Sequence, residues 1–148
     1  QMNQKNRVGR PRTTPKQSKK CKYFYLICVN FHGKDTLKLG ISNNVFRRMK
    51  QYNNSDTNGY LKEILNVYKC SDPKRLEQVV KYFLPQFIPN VAKMEYYDIE
   101  HYEFVKEKTK YLADLFHYSL EEFDFESVKN EEIAKNERKM IKKLKNNS

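Results

Sequence analysis

Apolar and aromatic residues crowd residues 22–30, where Tyr23, Phe24, Tyr25, Leu26, Ile27, Cys28 and Val29 follow one another without a polar break. A run this rich in aromatic and β-branched side chains predicts a buried strand. Gly33 and Asp35 mark a turn and strand character resumes over residues 36–41, so the pair predicts an antiparallel hairpin. Ser42 or Asn43 stands where a short helix running to about Tyr52 would be capped. The polar stretch 53–59 predicts a loop. Tyr60–Cys70, with Ile64, Val67 and Tyr68 and turn signals at both ends, predicts a third strand.

Asp72 and Pro73 then open a helix, as an N-cap acid followed by proline at the first helical position does. Leu76, Val79, Val80, Phe83 and Phe87 give it one apolar face, and Pro85 and Pro89 close it. A further helix is predicted from about residue 100 to 116, capped by Asp98, with Val105, Leu112, Leu115 and Phe116 inward. Residues 121–136 are rich in acids, and a weakly amphipathic charged helix follows. The pattern predicts an α/β domain: a small three-stranded antiparallel sheet flanked by helices, with a disordered basic N-terminal arm and a charged C-terminal helix.

Charge sharpens this division. Of a net +11, residues 1–22 contribute eight cations with no acid, and residues 137–148 hold five cations against Glu137. The middle of the chain is near neutral. Basic ends on a neutral core predict arms that meet a polyanion, with counterion release making the binding salt-sensitive. A solubilising tail or a nuclear-import signal is the plainer reading of such tails. An anionic membrane fits poorly, because residues 1–22 carry almost no large apolar side chain to insert.

Cys21, Cys28 and Cys70 are odd in number and lack paired metal-ligand spacing. This argues against a disulfide framework or a cysteine zinc site and predicts a reducing compartment. His32, His101 and His117 fall in no zinc pattern. No apolar run reaches membrane-spanning length, so a soluble, intracellular protein is expected. The expected divisions are a basic arm over residues 1–21, a domain over 22–119 and a charged helical extension over 120–148.

Five residues fall in an order that carries chemistry. Tyr25 lies in the first strand and Lys38, with Gly40, in the second; Arg48 follows Gly40 by eight residues and Tyr52 follows Arg48 by four. Glu77 lies on the helix opened by Pro73. A phenol can orient or deprotonate a water if a nearby cation such as Lys38 lowers its pKa. Arg48 offers planar, permanently charged donors to phosphate oxygens, and Glu77 a hard oxygen ligand for a metal. Taken singly, each has a structural explanation: Tyr25 and Tyr52 as core, Arg48 as a solvated helix residue, Glu77 as a boundary residue. In order and spacing they resemble the GIY-YIG nuclease superfamily, and within it the T5orf172 branch, over residues 23–100. Lys38 stands where the superfamily has its second tyrosine, which looks like the T5orf172 form.

The resemblance implies a GIY-YIG-like fold and Mg²⁺- or Mn²⁺-dependent hydrolysis of DNA, leaving 3′-hydroxyl and 5′-phosphate ends. Tyr25 and Lys38 would serve the water, Arg48 and Tyr52 the phosphate, and Glu77 the metal. Asn90 and Glu95 are weaker candidates, Glu95 as a support to the fold or the site. In the arm, Arg7, Gly9, Arg10, Pro11 and Arg12 resemble an AT-hook: glycine and proline keep the backbone slim and extended while arginines enter a narrow A·T minor groove. Lys16, Lys19 and Lys20 would add contacts, so the expected partner is A·T-rich duplex DNA. Two rivals stand: a non-catalytic DNA-binding protein on a nuclease-derived scaffold, and an RNA-binding module using some of the eleven tyrosines for base stacking.

Overall fold

The computed structural model describes residues 21–52 and 59–147. Strands β1 (Tyr23–Phe31) and β2 (Lys34–Ser42) form the hairpin, and helix α1 (Val45–Tyr52) follows. Strand β3 (Tyr60–Cys70) precedes helix α2 (Pro73–Phe83). Two short strands, β4 (Asn90–Ala92) and β5 (Tyr96–Asp98), flank a single 3-10 turn, Lys93–Glu95. Helix α3 (Tyr102–Leu115), strand β6 (Leu120–Phe123) and helix α4 (Phe125–Asn146) complete the described elements.

The expected three-stranded sheet is corrected to six antiparallel strands in the order β4-β5-β2-β1-β3-β6. The three long strands sit at its centre, and the fold remains a mixture of α and β. The added strands escape a reading by period because they have three or four residues each, too few for alternation to be counted. In β6 the outward Glu121 and Glu122 further disguise a strand as an acidic loop.

β1 is hydrogen-bonded on both edges, and its side chains alternate between two cores. Phe24 and Leu26 join Leu37, Leu39, Tyr68, Leu76 and Val80 beneath α2 and α3. Tyr25, Ile27 and Val29 join Val45, Met49 and Tyr52 of α1 on the other face. Covering both faces explains why β1 reads as an unbroken apolar run.

The helix ends follow local chemistry. Asn44, rather than Ser42 or Asn43, caps α1 by accepting from the Arg47 N–H at 3.0 Å. Ser42 Oγ accepts from the Asn44 N–H and holds that cap in place. Asp72 caps α2 as expected, accepting from the Arg75 N–H. Asp98 caps a 3-10 turn, Ile99–His101, that leads into α3. Val105 and Leu112 are buried, whereas Leu115 and Phe116, expected inward, are exposed. No helix among the described residues is long and apolar enough to cross a membrane, and the three cysteines are unbridged.

Leu76 is fully buried in the larger core, while Tyr82 on the same helix is 78% exposed. Leu76→Ala is expected to lower the unfolding free energy by about 2–5 kcal/mol, and Tyr82→Ala to change it by less than about 0.5 kcal/mol. Urea titrations of both variants check this, and equal losses would mean that α2 does not lie as described.

Candidate active site

A cavity of about 300 Å³ opens where α1 and α2 approach β2. It is lined by Tyr25, Lys38, Arg48, Tyr52, Glu77 and Glu95, with Gly40, Ile41 and Lys81 completing it. β5 pairs only with residues 36–38 of β2, so on that edge no strand covers Gly40 and Ile41 among the described residues. Register sets the rest: Tyr25 lies opposite Gly40, and Ile27 opposite Lys38. The Tyr25 ring passes directly over Gly40, where an added Cβ would stand 2.5 Å from its Cζ and Oη. Only glycine permits that approach.

Tyr25 Oη shares a hydrogen bond of 2.9 Å with Tyr52 Oη, and the two rings meet edge to face. Val45, Met49 and Tyr52 anchor α1 by its buried face. Arg48, one turn before Tyr52, is left on the open side, where its guanidinium donates to Gln51 Oε1 at 3.3 Å.

The opposite wall is a chain of alternating charges. Lys38 Nζ donates to Glu95 Oε1 at 2.5 Å and lies 4.4 Å from the centre of the Tyr96 ring. Lys81 Nζ stands 3.1 Å from the other Glu95 oxygen, Oε2, and 3.6 Å from Glu77 Oε2. Glu95 is presented by the 3-10 turn before β5, which Lys93 enters with φ of 51°, a left-handed conformation uncommon for a residue with a side chain. Tyr97 Oη donates to the Met94 carbonyl and ties that turn to the strand.

Burial dominates the ionisation of these groups. It raises the Tyr25 phenol above its ordinary range, outweighing the Tyr52 hydrogen bond and the Arg48 charge. Burial raises Tyr52 as well. Both phenols are therefore protonated at neutral pH, and the expected lowering of Tyr25 by Lys38 does not occur. Lys38 is lowered by its own burial, against the pull of Glu95. Burial raises Glu77 although Lys81 opposes it. Burial pushes Glu95 upward too, but the hydrogen bonds and charges of Lys38 and Lys81 prevail and hold it below the usual carboxylate range.

Among the described residues no group of three or more His, Cys, Asp or Glu could hold a metal ion. The donors do fit a hard cation that keeps most of its water. Mg²⁺ takes one or two carboxylates and completes its shell with substrate phosphate and water, and Glu77 faces a polar cavity with its carboxylate only loosely held by Lys81.

All five residues singled out from the sequence, Tyr25, Lys38, Arg48, Tyr52 and Glu77, come together here. Glu95, a weaker candidate, lies at the centre of the charged wall, while Asn90 is exposed on β4 and does not line the cavity. Lys81 was not anticipated, although its position four residues after Glu77 puts it on the same helix face. Arg7, Gly9, Arg10, Pro11, Arg12, Lys16, Lys19 and Lys20 lie outside the described residues.

A family profile described as the T5orf172 domain matches residues 22–115, more than half of the chain. No curated protein and no solved structure matches it.

Two outcomes follow from this geometry. Gly40→Ala would force the Tyr25 ring aside at about 1–3 kcal/mol, read as a fall of several degrees in melting temperature; an unchanged melt would contradict the close approach. Glu95 is depressed in the folded state, so its contribution is present above the unfolded glutamate pKa of about 4.3 and lost as pH falls through the folded value. The stability gap between wild type and Glu95→Gln should thus be widest at neutral pH and close below about pH 4. A gap that widens on acidification would reverse the assigned sign.

Proposed function

The chain belongs to the T5orf172 domain family, a nuclease-like group, and on that premise we propose that it hydrolyses DNA phosphodiester bonds with Mg²⁺ or Mn²⁺. The observation that carries the proposal is the convergence of Tyr25, Lys38, Arg48, Tyr52 and Glu77 on one polar cavity. Three cations and two carboxylates line it, a balance suited to an anionic substrate.

Arg48 is exposed and only weakly engaged, so its guanidinium is free to turn onto a phosphate oxygen. Tyr52 holds Tyr25 in place, and the Tyr25 hydroxyl orients a water as a hydrogen-bond partner rather than as a phenolate. Lys38, an ammonium paired with Glu95, is proposed to position that water with Tyr25, and the water's proton passes to solvent. The water oxygen bonds to phosphorus as the bond to the 3′-oxygen breaks, and a proton from solvent completes the 3′-hydroxyl. Glu77 would hold the metal, which when bound supplies charge neutralisation at the phosphate and leaving oxygen.

The basic arm joins the domain at Cys21, which lines a groove with Ser42, Asn44, Arg47 and Arg48. Arg48 and Ile41 belong to both groove and cavity, so DNA held by the arm would already lie beside the site. We assign Arg7, Gly9, Arg10, Pro11 and Arg12 to the minor groove of A·T-rich duplex, with Lys16, Lys19 and Lys20 on the backbone. Tethering of this kind raises the local concentration of substrate at a weak site.

Purified protein is expected to nick a supercoiled A·T-rich plasmid in Mg²⁺ or Mn²⁺ and not in chelator. Glu77→Ala and Arg48→Ala are each expected to cut at least about a hundredfold more slowly, the scale of losing one transition-state contact. Wild-type protein that shifts the plasmid on a gel yet never cuts it would make this a DNA-binding protein on a nuclease scaffold.

A further inference from the structure

Lys81 is the one cation in the cavity that contacts both carboxylates, and neither the phosphate nor the water has a claim on it in the mechanism above. We propose that Lys81 is a built-in competitor for the divalent cation: its ammonium, seated between Glu77 and Glu95, weakens metal binding at Glu77 in the DNA-free protein. The inference rests on the reading of Glu77 as the metal ligand.

The geometry supports it in three ways. Lys81 and Glu77 are one helical turn apart, with the glutamate N-terminal, the arrangement in which such pairs attract. The second contact, 3.1 Å to Glu95 Oε2, fixes the ammonium beside Glu77 rather than leaving it to swing in solvent. Glu95 keeps Lys38 on its other oxygen, so Lys81 is not needed to neutralise Glu95 and its charge is left to act on Glu77. With Lys81 present the wall carries two lysines against two glutamates. A divalent ion arriving at Glu77 would face a like charge about one contact distance away, in a site where charges are poorly screened.

The test is Mn²⁺ binding without DNA, followed by the electron paramagnetic resonance signal of the free ion, for wild type, Lys81→Met, Lys81→Arg, Glu77→Ala and the double variant Lys81→Met with Glu77→Ala. Thermal melts confirm that each is folded. Lys81→Met should bind Mn²⁺ about tenfold more tightly than wild type, Lys81→Arg should match wild type, and the double variant should lose the gain. Lys81→Met binding no more tightly than wild type, or not measurably, overturns the proposal. If Glu77→Ala loses Mn²⁺ while Lys81→Met gains nothing, only the role of Lys81 falls. If Glu77→Ala binds as well as wild type, Glu77 is not the ligand, and both this inference and the metal assignment above fail.

Discussion

A strand paired on both edges and covered on both faces has no free choice of register, and β1 is in that position. A slip of one residue would move every side chain to the other face: Tyr25 would enter the core beneath α2 and α3, and Phe24 would turn toward α1. The steric lock between Tyr25 and Gly40 acts against such a slip, because no other residue of β2 lacks a Cβ. With that register fixed, Lys38 necessarily lies on the same face as Tyr25, two residues from Gly40. The cavity is thus a consequence of strand pairing before it is a matter of catalysis.

The electrostatic design then answers a problem the sheet creates. Lys38 is only 5% exposed, and an ammonium so placed must be paired or neutral. Glu95 meets it, and Lys81 and Glu77 extend the pairing to the rim, so the net charge of the wall is zero. Replacing such a wall with apolar residues is often neutral or stabilising. Its presence here is better explained by what the cavity handles than by what the fold needs.

Much of this was legible in the chain because it lies on long elements. Tyr25 sits in a seven-residue apolar run, and Arg48 and Tyr52 are one turn apart on a helix whose buried positions are plain. Glu77 falls on the helix that Asp72 and Pro73 announce. Lys81 was hidden because a lysine on a helix is ordinarily solvated, and only the arrival of Glu95 from a distant turn gives it a second partner. That turn and the strands around it are too short to show a period. Leu115 and Phe116 misled for the opposite reason: the helical period continues to the end of α3, but Phe116 falls beyond its last turn and stacks instead with Tyr118.

The two strands at the margins of the sheet, β4 and β6, are both short. β4 offers three residues just after Pro89, and β6 offers four, two of them glutamates. Edges so brief, broken by proline on one side and charged on the other, give a second chain little to pair with. Wherever copies of the chain come close together, blunt margins of this kind let them crowd without growing into a shared sheet.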